Sequence, residues 1–194
     1  VRLKEAQIHE ATELARGCLN RGDIWSADSL LDRLLQEPLA GVDVFWNKAK
    51  PLALLHKPSE SLFCLDLCVR NEDPHERARA HYGIAMLYSR YLPAHMQDLE
   101  RAREEVCEGI RVLRVMRPED VKNFDEHDHR FLQIFLRNAL AYVDARRGKL
   151  QEVEGSMQRL LADLEDLVAQ DEKKRVRSVL YRSVLLHNLS LRKG

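Results

Sequence analysis

The stretch LARGCLNRGDIWSADSLLDRLLQEP, running from Leu14 to Pro38, decides the fold. It reads as the end of one amphipathic helix, a turn, and a second helix that stops at proline. Leu14, Ala15 and Cys18 fall in one apolar register. Gly22 permits the left-handed backbone that closes a helix, and Asp23 is a residue type that caps the next one. Ala27, Leu31 and Leu34 then carry the apolar register to Pro38, which cannot prolong a helix. Ala15 and Ala27 are small where two antiparallel backbones must approach closely, since a large side chain at either would force them apart.

The pattern recurs along the chain. Ala15, Ala49 and Gly83 are spaced by 34 residues, and Ala27 and Leu31 are echoed by Ser61 and Leu65 at the same interval. A helix–turn–helix unit repeated at that period signals a helical array. The second unit carries Phe45, Ala49 and Leu52, then Ser61, Leu65 and Cys68. Its turn, His56-Lys57-Pro58, replaces the Gly-Asp of the first, although proline suits the first turn of a helix. The third has Tyr82-Gly83 and Met86, then Ala102, Val106 and Gly109, with an insertion around Leu92-Pro93-Ala94-His95. The fourth has Leu140-Ala141, Gly148-Lys149, Val153, Met157 and Leu160, and a fifth first-helix begins near Lys173 with His187 at the crossing position.

In these residues the chain resembles the tetratricopeptide repeat (TPR) superfamily. The resemblance implies an all-α fold, a right-handed superhelix or α-solenoid of about four and a half antiparallel helix hairpins. A single domain over 1–194 would hold units at about 3–38, 42–72, 74–116, 127–169 and 172–194. Because such arrays normally finish on a polar cap, the chain is expected to be part of a longer polypeptide.

Composition agrees with amphipathic helices: 45% of residues are apolar and 32% charged, with six prolines mostly at predicted boundaries. No apolar run reaches the length that spans a bilayer, so no membrane partner is expected, and no secretory signal is read at Val1; the cysteines, read as reduced thiols, make a cytoplasmic protein the expectation. The net charge of zero gives no electrostatic support for direct nucleic-acid binding. Cys18, Cys64, Cys68 and Cys107 lack the paired spacing of a zinc ribbon and are expected to be free thiols.

No phosphate-binding glycine loop, nucleophile elbow or H-E-x-x-H pair is present, so no enzyme, cofactor or metal is expected. The one chemically rich stretch is Asp125-Glu126-His127-Asp128-His129. On a helix its two histidines diverge by about 200°. Acids there suit a polar loop and a helix start, where the macrodipole favours negative charge. A metal-dependent enzyme centred on Asp125–His129 is the alternative.

The resemblance places ligands, usually extended peptides, in a concave groove lined by successive first helices. Carried over residue by residue, the peptide-binding candidates are Arg16 and Asn20; Trp46, Asn47 and Lys50; Arg77 and Tyr88; Asn138, Tyr142 and Arg146; and Asn188 and Arg192, with Thr12 and Ile84 on the same register. This set is aromatic, amide and basic, with acids nearly absent. Amides can bond a peptide backbone, aromatics supply rigid contact area, and arginine or lysine selects acidic groups. Of the five-residue two-carboxylate clamp by which part of the family holds chaperone tails, Asn47 and Arg77 match while Thr12, Arg16 and His81 depart, so chaperone-tail binding is not expected. Asn138 and Asn188 resemble the groove asparagines of bacterial peptide-sensing regulators. The expected function is therefore a non-catalytic scaffold binding a protein segment or peptide, such as the sensor or adaptor part of a bacterial regulator. A self-associating module, a homo-oligomer through the terminal helix, is a second alternative.

Overall fold

Among the residues that the computed structural model describes, 3–38, 40–121 and 124–170, the fold is all-helical and contains no strand. Eight α-helices follow one another: α1 (Glu5–Asn20), α2 (Ile24–Leu34), α3 (Val42–Leu54), α4 (Pro58–Val69), α5 (Pro74–Met86), α6 (Leu99–Val115), α7 (Glu126–Arg146) and α8 (Leu150–Gln170). The fifth expected unit, 172–194, lies outside the described residues.

One turn geometry joins three pairs of helices. After α1, Gly22 takes φ 82°, its N–H donates to Leu19 O at 3.1 Å, and the Asp23 N–H reaches back to Cys18 O at 3.0 Å. Gly148 repeats this between α7 and α8 with φ 88°, the Lys149 N–H donating to Asp144 O at 3.0 Å. Both are Schellman closures, which need a left-handed residue just past the helix end. Between α3 and α4 the same closure forms, Lys57 N to Leu52 O at 2.8 Å, but the left-handed residue is His56 at φ 59°. A Cβ in that conformation crowds the following carbonyl at a cost of about 1–2 kcal/mol. His56→Gly is thus expected to stabilise the protein by about 1 kcal/mol, read as a higher urea midpoint at unchanged slope; a lower midpoint would show that the imidazole compensates for the strain.

Side-chain caps start the helices. Asp23, Asp98 and Asp125 accept from the N–H three residues on, at 3.1, 2.9 and 3.0 Å, and Asp73 from that of His75 at 2.8 Å. Pro58 and Pro74 occupy first helical turns, where the missing N–H has no intrahelical partner to lose.

The core is divided among neighbouring helices. Ile8, Ala15, Leu31, Leu34 and Val44 join α1, α2 and α3; Ala49, Leu52, Cys64, Leu65 and Ile84 join α3, α4 and α5. Ala78, Ala102, Val106, Leu136 and Val143 join α5, α6 and α7, and Phe131, Ile134, Met157, Leu160 and Leu164 join α7 and α8. Each helix packs on the next, and α1, α3, α5 and α7 also touch in succession.

Small residues make the close approaches, though not always where the repeat predicts. Ala15 and Ala27 are fully buried, and Ser61 Oγ donates to Ala49 O at 2.7 Å between α4 and α3. Gly83 differs from its expected role. A Cβ there would lie 2.7 Å from both Leu65 Cδ2 and Trp46 Cζ3, so its smallness seats the preceding pair rather than α6. The α5–α6 approach is made by Gly109, whose Cβ would sit 3.3 Å from Ala78 O and 2.8 Å from Leu136 Cδ2.

The insertion after α5 is ordered by α7. The helix widens into a π-helical segment, Leu87–Tyr91, before a short 3-10 turn, Ala94–Met96. Arg146 donates to Ser89 O and, at 2.8 Å, to Gln97 Oε1, while Gln97 Nε2 donates to Leu92 O at 2.7 Å. All four cysteines are free thiols; burial pushes Cys64 up to about 11 and Cys68 up to about 12. Among the described residues no helix is long and apolar enough to cross a membrane.

Candidate functional site

The odd-numbered helices build a groove of about 640 Å³. From α1 it receives Arg16, Leu19 and Asn20; from α3, Asp43, Trp46, Asn47 and Lys50; from α5, His75, Glu76, Arg79, Tyr82 and Met86; and from α7, Asp128, Phe131, Leu132 and Phe135. Ser61 and Leu65 of α4, and Leu87 and Tyr91 of the π-helical segment, line it as well.

Five sequence-predicted residues therefore come together: Arg16, Asn20, Trp46, Asn47 and Lys50. Arg77, Tyr88, Asn138, Tyr142 and Arg146 are not among the lining residues. Tyr88 packs beneath Arg101, whose guanidinium carbon is 4.7 Å from the ring centroid, and Arg146 is the strut of the insertion described above. Thr12 and Ile84 are buried; the Thr12 hydroxyl donates to Ile8 O at 2.7 Å. Asn188 and Arg192 lie outside the described residues.

The groove is not the basic surface expected from the sequence. Glu13, Asp43, Glu76 and Asp128 line it beside Arg16, Lys50 and Arg79. Glu13 pairs with Arg16 at 2.7 Å, and Arg16 Nε also donates to Asn47 Oδ1 at 3.4 Å. The Asn47 amide donates to Asp43 O at 2.8 Å, so both ends of this nearly buried side chain are engaged within the protein. Arg79 pairs with Glu76 at 2.6 Å and Asp43 at 3.7 Å, and its guanidinium carbon lies 5.1 Å from the centroid of the Trp46 ring. Burial lifts the Glu76 carboxyl above its ordinary range, and Arg79 offsets part of that shift.

Three further rings of the lining pack on one another. Phe131 and Phe135 meet edge to face at 4.9 Å, and Phe135 meets Tyr82 likewise at 5.4 Å. Such contacts favour a fixed ring arrangement. Glu76, Arg79, Tyr82 and the two phenylalanines were missed by the repeat register. For the α5 residues the signal was the spacing of His75, Arg79, Tyr82 and Met86, which mark one face of that helix; on α7, Phe131 and Phe135 stand one turn apart.

At the α5–α7 end, His75 Nε2 lies 2.9 Å from His129 Nδ1. The rings lie side by side and nearly coplanar, 16° apart with centroids 5.2 Å from each other, and Gln133 Nε2 is 2.8 Å from His129 Nε2. With the Gln133 amide donating, His129 carries its proton on Nδ1 and gives it to His75 Nε2, so both rings are neutral. Burial, then mutual repulsion, holds His75 below its ordinary value, and burial holds His129 below its own. The unfolded chain accordingly takes up protons at a higher pH than the folded one. The contribution is fully present above the ordinary imidazole value of 6.5 and is lost as the pH falls through it toward the folded values. Between about pH 7.5 and pH 5.5 the urea midpoint is expected to fall, and His129→Gln, which cannot titrate, to flatten that fall; equal slopes in both proteins would remove the pair from the account.

The stretch Asp125–His129 begins α7. Asp125 caps it, with Glu126 and Asp128 in its first turn. His129 turns to His75, whereas Asp125, His127 and Asp128 bring donor atoms within 4.8 Å of one another. The His127 ring stacks on Phe131 at 6.3 Å; both its nitrogens are buried without a hydrogen-bond partner, and Asp128 Oδ1 is 3.8 Å from Nδ1.

No protein-family model matches the chain, and no match was found among curated proteins or solved structures.

Proposed function

We propose that this chain is a TPR-like right-handed helical array and a non-catalytic scaffold whose groove holds a protein segment or peptide. The observation that carries the reading is one continuous groove to which each of α1, α3, α5 and α7 contributes side chains. The repeated Schellman closures and the core shared between successive helix pairs support the array. An extended segment can lie across all four helices and touch rigid aromatic anchors, the residue class that dominates binding energy at interfaces.

The test uses the Trp25→Phe protein, in which Trp46 is the only tryptophan left of two. Peptides selected against it from a random display library are expected to shift Trp46 emission on binding. They should also lose about tenfold in affinity, ~1.4 kcal/mol, on Phe135→Ala. Binders that leave Trp46 emission unchanged and tolerate Phe135→Ala would reject the groove as the binding site.

A further inference from the structure

We infer that the occupant of the groove is an uncharged, apolar peptide segment rather than an acidic one, an inference that rests on the peptide-binding reading above. The lining carries three permanent cations, Arg16, Lys50 and Arg79, against four carboxylates, Glu13, Asp43, Glu76 and Asp128. Two of the cations are already engaged: Arg16 by Glu13 at 2.7 Å, and Arg79 by Glu76 at 2.6 Å with Asp43 at 3.7 Å.

An acidic peptide would have to displace these partners and would then meet their carboxylates as like charges. Only Lys50, exposed on α3, would draw it without breaking an ion pair among the described residues. The Arg79–Glu76 pair is the more buried of the two, its side chains 30% and 20% exposed, and removing one partner leaves the other charge uncompensated, which makes that exchange unfavourable. Covering apolar side chains of the lining breaks no ion pair. Trp46, Tyr82, Met86 and Phe135, each partly exposed in the lining, can contact large aliphatic or aromatic side chains of the occupant. Burial of that surface, not Coulomb attraction, then supplies the affinity. The arginines serve instead to hold the walls in register, Arg79 tying α5 to α3 and Arg16 tying α1 to Asn47 of α3.

The test is the composition and salt response of the peptides selected against the Trp25→Phe protein. The expected set shares an apolar run containing Phe, Leu, Met or Trp and is depleted of Asp and Glu relative to the starting library. Affinities should change by less than about twofold between low and high salt, because screening has no attraction to remove. In a synthetic copy of one binder, exchanging its neutral polar residues for Asp should weaken binding by about fivefold or more. Selected peptides with clustered acids, whose affinity drops about tenfold with salt while Trp46 emission still shifts, would overturn this inference and leave the groove reading intact. Binders that leave Trp46 silent would overturn both.

Discussion

Replacing Lys48 with methionine is expected to destabilise the protein by about 3–5 kcal/mol, a large share of the stability of a domain this size. The Lys48 side chain is only 4% exposed, between α3 and α2. It bonds Asp28 Oδ1 at 2.6 Å and Asp28 O at 3.1 Å, and it pairs with Asp32 at 2.7 Å. Methionine fills much the same volume, so the loss comes from electrostatics rather than from a cavity. Asp28, itself nearly buried, would be left without its counter-ion, and that is the costly half of breaking such a pair. Denaturant titration of Lys48→Met measures the loss. The double variant Lys48→Met with Asp28→Leu should recover most of it, since removing both charges leaves nothing to desolvate. A single variant within about 1 kcal/mol of the parent would show that water reaches Asp28.

Gly109→Val is expected to cost about 2–3 kcal/mol. Gly109 stands where α5, α6 and α7 converge, and a Cβ would already sit 2.8 Å from Leu136 Cδ2 and 3.3 Å from both Ala78 O and His81 Cβ. The Leu136 methyl can swing aside, but the Ala78 carbonyl belongs to the backbone of α5 and moves only with its helix. Gly109→Ala should come much closer to neutral, because about 1 kcal/mol of helix propensity offsets the crowding. The Val–Ala difference in urea midpoint thus reports how rigidly α5 is held. Equal midpoints for the two variants would mean that the three helices separate easily.

The all-helical class was legible because its determinants are local. Gly22 and Gly148 take the left-handed conformation their turns need, and Asp23, Asp98 and Asp125 cap helices from within a few residues. His56 shows the limit of reading by residue type: the turn forms as in the first unit, although no glycine announces it. Which residues face the groove was legible only for α1 and α3, where Arg16, Trp46, Asn47 and Lys50 follow the repeat register. On α5 the register fails because Gly83 seats Trp46 and Leu65 instead of facing α6. That helix is turned, and His75, Arg79, Tyr82 and Met86 replace the expected Arg77 and Tyr88. On α7 the groove uses the first turns, around Phe131 and Phe135, rather than the segment around Tyr142 and Arg146. The acids beside the arginines were overlooked for a related reason. Pairing across α3 and α5, as in Asp43 with Arg79, depends on how two helices are rotated, which no single helix encodes. Lys48 and Asp28 did carry a signal, each interrupting an apolar stripe, and a charge on such a stripe calls for a buried partner.

The partitioned interior has a kinetic corollary. Each core cluster draws its members from consecutive helices, so most native contacts join residues close in the chain, the condition of low contact order under which loop closure takes little entropy and folding is fast. Damage should be equally parochial: a lesion in one cluster loosens first the helices that share it.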